Sequence, residues 1–235
     1  MQHGYKDRKN EQKFSNFASA KETGMVKAVI FDIGGVLMDM DVERCSKSFK
    51  ENCGLMKIDE FLDPCHQKGP ISDLEEGLIS EREFYDKMES FSRPGTTDKQ
   101  IEDSFDSLLR SIAPEKVELV KRLHKDYNLY LLSNNNSITM KFIGEEFARL
   151  GIPFETTFKE LFISYQLKLQ KPSRAIFEEV TRRCGCKAEE ILFIDDSMSN
   201  VEGAQKAGLK ALFYKVGTSL TDTVDDWFRS NASLA

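Results

Sequence analysis

Residues 26–37 read Val26-Lys27-Ala28-Val29-Ile30-Phe31-Asp32-Ile33-Gly34-Gly35-Val36-Leu37. The run up to Phe31 is short, mostly apolar and rich in β-branched side chains, and it stops at an aspartate with two glycines close behind. It is too short for a helix, and a strand apolar on both faces belongs in a parallel sheet covered from both sides. The same design returns three times. Leu129-Tyr130-Leu131-Leu132 ends at Ser133, followed by Asn134-Asn135-Asn136; Ile191-Leu192-Phe193-Ile194 ends at Asp195-Asp196; Leu209 to Tyr214 makes the fourth run. Helical spacing fills the gaps: Val117, Val120, Leu123 and Tyr127 before the second run, then Ile176, Val180 and Cys184 after Pro172, which suits a first helical turn. Val201, Ala204 and Ala207 follow the third run, with Gly208 as the stop.

Strand and helix therefore alternate, which predicts an α/β fold with a doubly wound, Rossmann-like parallel sheet. Residues 42–112 break the rhythm. They hold helix-like stretches at 42–53, 57–65, 80–92 and 97–110, punctuated by Gly54, Pro64, Gly69-Pro70 and Pro94-Gly95, and no strand pattern. A stretch this long is a separate all-α domain rather than a loop. The expected organisation is a flexible tail over 1–24, a core formed by 25–41 and 113–235, and a helical insert over 42–112.

Composition narrows the function. The 235 residues carry a net charge of −6, from 33 Lys+Arg against 39 Asp+Glu, without basic clusters, which argues against nucleic-acid binding. No stretch approaches the ~20 apolar residues of a membrane span. The first 24 residues lack the apolar core of a secretory signal, and Asp7, Glu11 and Glu22 make them a poor transit peptide. Cys45, Cys53, Cys65, Cys184 and Cys186 are odd in number and lack metal spacing, so free thiols in a reducing cytoplasm are expected.

Ligands of open parallel sheets bind outside the carboxyl ends of the strands. Those ends present Asp32, Ser133 and Asp195-Asp196, and Lys171 joins them at a Lys-Pro step opening a helix. Carboxylates gathered without compensation repel one another and rise in pKa. A Mg²⁺ ion resolves the conflict, because it takes oxygen ligands and keeps waters that a phosphate can displace. Lys171 supplies a charge that holds both a carboxylate and a phosphate oxygen. The set describes a phosphoryl-transfer site with Asp32 as nucleophile.

The segments Phe31-Asp32-Ile33-Gly34-Gly35-Val36-Leu37, Leu131-Leu132-Ser133-Asn134, Lys171-Pro172 and Phe193-Ile194-Asp195-Asp196, with Asn200-Val201-Glu202-Gly203-Ala204 trailing, resemble the four ordered motifs of the haloacid dehalogenase (HAD) superfamily over residues 25–215. The insert resembles the helical cap of its C1 class. The resemblance implies an aspartyl-phosphate on Asp32, phosphoryl oxygens bound by Ser133 and the amide of Asn134, and charge neutralised by Lys171. It also implies Mg²⁺ ligated by Asp32, the Gly34 carbonyl and Asp196, with Asp195 ligating or orienting a water. The expected activity is a Mg²⁺-dependent phosphatase for a small phosphorylated metabolite, working as a cytoplasmic monomer or weak homodimer. Two rivals stand beside it: a metal-independent 2-haloacid dehalogenase, and a non-catalytic phosphate-binding or regulatory module.

One departure matters. The family's phosphatases carry a second aspartate two residues after the nucleophile as acid and base, and this chain has Gly34 there. Such acids contribute about 10²–10⁴-fold. Three consequences are open: the enzyme is slow, it borrows an acid from nearby, Asp39 or Asp41, or its substrate is one whose leaving group needs little protonation. A sugar 1-phosphate fits that description, and the FDIGGVLMDMD start is similar to the α-D-glucose-1-phosphate phosphatase-like subgroup. Asn200 is expected to steady the Asp195-Asp196 turn. Phe84, Tyr85, Phe91 and Phe105 are expected in the insert's core, where one of them is placed to line a substrate surface. The acidic run Asp73-Leu74-Glu75-Glu76 is expected to be a solvated helix face.

Overall fold

The computed structural model describes residues 26–62 and 67–232; the expected tail, Cys65 and the end of the 57–65 stretch lie outside the described residues. Strands β1 (Ala28–Phe31), β2 (Asn128–Ser133), β3 (Glu160–Ile163), β4 (Ile191–Asp195) and β5 (Lys210–Phe213) form one all-parallel sheet in the order β3-β2-β1-β4-β5. The helices are, in chain order, α1 (Val42–Ser48), α2 (Gly69–Glu75), α3 (Glu81–Phe91), α4 (Asp98–Asp106), α5 (Pro114–Leu123), α6 (Ser137–Arg149), α7 (Phe154–Thr157), α8 (Ser164–Leu167), α9 (Arg174–Cys184), α10 (Met198–Lys206) and α11 (Leu220–Ala232).

The two-residue period of the strands sorts their side chains into two cores. Val29, Phe31, Leu129, Leu131, Leu192 and Ile194 pack with Val120 and Leu123 of α5, Phe147 of α6 and Val224 of α11. Ala28, Ile30, Tyr130, Leu132, Phe162 and Phe193 pack on the other face with Ile176, Phe177 and Val180 of α9 and Ala204 of α10. Helices thus cover both faces, which is why the strands are apolar throughout rather than alternating. In register, Phe31 stands between Leu131 and Ile194. The next residues after the three central strands consequently emerge side by side.

Helices α1–α4 enclose a third core of Cys45, Phe49, Cys53, Phe84, Met88, Ile101 and Phe105, joined by Ile138 of α6. Their limits follow local chemistry. Asp41 caps α1 through the N–H of Arg44, and Gly54, at φ 68°, closes the π-helical turn Phe49–Cys53 that extends α1. Ser80 with Glu83 and Thr97 with Gln100 make reciprocal capping boxes at α3 and α4, each cap contributing about 1 kcal/mol.

Several expectations need correction. The edge strand β3 went unrecognised: its first two residues are only half-buried, and Lys159-Glu160 hides the apolar run. The Gly69-Pro70 step, expected to act as a breaker, instead opens α2, because Pro in a first turn forfeits no hydrogen bond. Of the helix at 57–65, the described part is one 3₁₀ turn, Ile58–Glu60. Pro172 lies outside its helix, which starts at Arg174 with Ser173 as cap. Among the described residues, no helix is long and apolar enough to cross a membrane.

Candidate active site at the strand ends

Because β1 lies between β2 and β4, Asp32, Ser133 and Asp195 come together although they are distant in sequence. The Asp32 N–H donates to Ile194 O at 2.9 Å, which ties the first motif to the last. Carboxylate oxygens of Asp32, Asp195 and Asp196 all lie within 4.8 Å of one another. Lys171 Nζ reaches into this group, 2.9 Å from Asp32 Oδ2 and 2.7 Å from Asp195 Oδ2.

The two acids of the pair differ in their surroundings. Asp195 is fully buried and its oxygens are engaged: Oδ1 accepts from Ser197 N at 2.8 Å, and the Asn200 amide donates to Oδ1 and Oδ2 at 3.0 and 3.1 Å. Asp196 faces a cavity of about 390 Å³ that Asp32, Gly34, Ser133, Asn134 and Lys171 also line. The loop after β1 folds tightly over it. Gly35 has φ +76°, and a Cβ there would lie 2.1 Å from Asp196 Oδ2, so only glycine fits.

Ser133 is buried, and its hydroxyl has no protein partner among the described residues. The Asn134 side chain is committed to the backbone of Lys171, donating from Nδ2 to O and accepting at Oδ1 from N, each at 3.0 Å. Asn136 caps α6 by accepting from Thr139 N at 3.0 Å. The asparagine run thus positions Lys171 and starts a helix within three residues.

The charges are unbalanced. Burial pushes the Asp32 carboxyl up and Lys171 pulls it down, while Asp195 and Asp196 push it up further. Burial and the charge of Asp195 raise Asp196 to about 6, against the pull of Lys171. Burial lowers the Lys171 pKa, but Asp195 and Asp32 more than offset this and hold the ammonium above the ordinary lysine value. Three carboxyls against one ammonium leave excess negative charge, with oxygen donors clustered around it. That donor set fits a hard divalent cation such as Mg²⁺.

The helical insert contributes to the lining. Its Phe105, Leu108 and Leu109, with Met40 of the core, give apolar contacts, and its Gln67, Ser72 and Glu75 polar ones. Phe84 and Tyr85 are buried in the insert's core as expected, Phe91 is 48% exposed, and Phe105 alone of the four lines the cavity. The nearby acids named in sequence do not reach it. Asp39 pairs with Lys116 at 2.7 Å, and Asp41 caps α1 and pairs with Arg110. The acidic run 73–76 is not simply a solvated face, because Glu75 lines the cavity while Asp73 bonds Lys87 outside it.

The family model for haloacid dehalogenase-like hydrolases matches residues 26–208. The chain belongs to the HAD-like hydrolases. It is similar to a D-ribitol-5-phosphate phosphatase of Bacteroides thetaiotaomicron, 31% identical over 187 residues, which cover 79% of this chain and 90% of that protein. Among solved structures, a HAD family enzyme from the same organism, an aspartate-to-alanine mutant in complex with magnesium and inorganic phosphate, superposes with a TM-score of 0.80 at 33% identity. That match covers 85% of this HAD-like chain and 98% of the other. A HAD-like hydrolase of Porphyromonas gingivalis matches with a TM-score of 0.79 at 32% identity, over 87% and 98% of the two chains.

Proposed function

We propose that the protein is a Mg²⁺-dependent phosphatase of small, polyhydroxylated phosphomonoesters. The observation that carries the reading is the convergence of Asp32, Asp195 and Asp196 within 4.8 Å, with the Lys171 ammonium bonded to Asp32 and Asp195, beside a cavity that Asp32, Asp196 and Lys171 line. Asp32, the Gly34 carbonyl and Asp196 would hold the ion. Asp195, whose oxygens already serve Lys171, Ser197 and Asn200, would orient a water around it. The bound ion would supply charge neutralisation at the phosphoryl oxygens.

The chain's own residues do the rest. Asp32 attacks phosphorus in line and becomes an aspartyl-phosphate, which water then cleaves. Ser133 Oγ and the backbone N–H of Asn134 receive phosphoryl oxygens, since the Asn134 side chain is engaged elsewhere. Lys171 keeps its proton and stabilises the charge that builds up in transfer. Residues 42–112 act as a cap over a core of 25–41 and 113–235, excluding water and selecting the organic part of the substrate.

The cavity favours an uncharged leaving group. Among the described residues its lining has Gln67, Ser72, Asn135, Thr139 and Gln170 for hydroxyls and no cationic side chain besides Lys171. Pentitol and hexose phosphates suit such a wall, a hexose 1-phosphate being favoured by the leaving-group argument and a pentitol 5-phosphate by the Bacteroides relative. Buried thiols at Cys45 and Cys53 accord with a cytoplasmic setting.

The test is a Mg²⁺-supplemented panel of polyol phosphates, sugar 1- and 6-phosphates, nucleotides and acyl phosphates, with Asp32→Asn as control. Phosphate release that needs Mg²⁺ and vanishes in the variant is expected. Release of halide from a 2-haloacid in EDTA would instead make the chain a dehalogenase, and equal background in both proteins would make it a binding module.

A further inference from the structure

We propose that Glu75, on the helical insert, is the acid that protonates the leaving oxygen and the base that later activates the hydrolytic water. The inference rests on the phosphatase reading above and supplies the group that position 34 lacks. A Cβ on Gly34 would lie 3.0 Å from Met40 Sδ, so a thioether fills the space beside that backbone. Asp39 and Asp41 are held in ion pairs away from the cavity. The carboxyls that line it, among the described residues, are Asp32, Asp196 and Glu75. The first two belong to the acidic cluster of the core. Glu75 comes from the insert and lines the same cavity, into which in-line displacement would send the leaving oxygen, away from the attacking Asp32 oxygen.

Its backbone is anchored while its carboxyl is not. Ser164 Oγ, on α8 of the core, donates to Glu75 O at 2.6 Å and accepts from Asn135 N at 3.0 Å. Two residues on, Lys168 Nζ donates to Gly77 O, and Gly77 sits so close to the core that a Cβ there would lie 2.4 Å from Tyr165 O. The turn carrying Glu75 is therefore docked onto the same elements that shape the phosphate end. The Glu75 carboxyl itself has no hydrogen bond or ion pair among the described residues. Burial raises its pKa to about 8, with help from the charges of Glu76 and Asp32 and against that of Lys171. The upward direction favours the protonated form that an acid requires.

The step balances. As an Asp32 oxygen bonds to phosphorus, the bond from phosphorus to the leaving oxygen breaks, and that oxygen takes the Glu75 proton and departs as an alcohol. Water then attacks the aspartyl-phosphate and gives a proton to the Glu75 carboxylate. Its oxygen bonds to phosphorus, the bond to Asp32 breaks, and inorganic phosphate leaves. One water is consumed and Glu75 ends protonated, as it began.

The experiment compares two substrates with Mg²⁺: ribitol 5-phosphate, whose alkoxide needs a proton, and 4-nitrophenyl phosphate, whose leaving group does not. In Glu75→Gln, kcat/KM on ribitol 5-phosphate is expected to fall about 10²–10³-fold, while kcat/KM on 4-nitrophenyl phosphate, which ends at the first transfer, changes by less than about threefold and its kcat falls with the loss of the base. Glu75→Ala is expected to show the same split, with a wild-type circular dichroism spectrum and melting temperature. Equal losses of kcat/KM on both substrates in the folded variants, or no loss on ribitol 5-phosphate, overturn the proposal and leave the phosphatase reading intact. A wild-type chain inert on both substrates overturns the two together.

Discussion

Lys171 Nζ lies 2.9 Å from Asp32 Oδ2, and the lysine side chain is only 2% exposed. A buried ammonium this close keeps the Asp32 carboxylate paired. Replacing Lys171 leaves buried carboxylates uncompensated, a change that costs about 3–5 kcal/mol. Lys171→Met should lower kcat about 10²–10³-fold and reduce the melting temperature. A variant that keeps wild-type turnover would show that the ammonium plays no part in transfer.

Gly35 sets the seat of Asp196. Gly35→Ala places a methyl 2.1 Å from Asp196 Oδ2 at a φ of +76°, so the carboxylate must move. The half-saturating Mg²⁺ concentration is expected to rise by about 10–100-fold, read by titrating the metal into the chelated enzyme. An unchanged Mg²⁺ response would remove Asp196 from the set of ligands.

Gly77 holds the insert against the core. Its φ of +66° and the 2.4 Å approach of its virtual Cβ to Tyr165 O leave no room for alanine. Gly77→Ala should cost about 1–2 kcal/mol. Amide exchange is expected to quicken around residues 72–78 while the strands of the sheet stay protected. Uniform loss of protection would mean that the turn supports the whole fold rather than the insert's docking.

Asp106 gives the folded chain a pH dependence of its own. It ends α4 with Oδ1 buried and unpartnered, and burial, with Glu102, Asp103 and Glu145 nearby and Lys99 opposing, raises its pKa from 3.8 to about 6. The folded state therefore binds this proton more tightly than the unfolded chain. The contribution is fully present below pH 3.8 and is lost as pH rises through about 6. Allowing for solvent screening, the loss is about 1 kcal/mol. Asp106→Asn should accordingly melt about 2–4 °C higher than wild type at pH 7.5 and no higher at pH 3.5. The same difference at both pH values would assign the effect to packing instead.

The parts of this molecule that were legible in sequence are those where one physical demand dominates. β1, β2 and β4 are buried on both faces, so their apolar runs stand out and their ends point directly to Asp32, Ser133 and Asp195. β3 lies at the sheet edge with Glu160 and Leu161 half-buried, where the demand relaxes and the pattern blurs. α2 was hidden because Gly69 and Pro70 break helices in the middle but suit their beginnings. Glu75 was unreadable for a different reason. Nothing local separates it from Glu76, whose carboxylate accepts from Ser72 Oγ at 3.0 Å, and only the tertiary approach of α8 turns one of the two toward the cavity.

The central place of β1 has a consequence for how the protein comes into being. Its two neighbours are made at very different times: β2 ends at Ser133, and β4 ends only at Asp195. During synthesis β1 must wait with one edge unpaired until residues 191–195 have left the ribosome. A fragment ending before residue 191 carries Asp32, Ser133 and Lys171 but lacks Asp195 and Asp196. The acidic cluster at the strand ends is therefore completed in one late step.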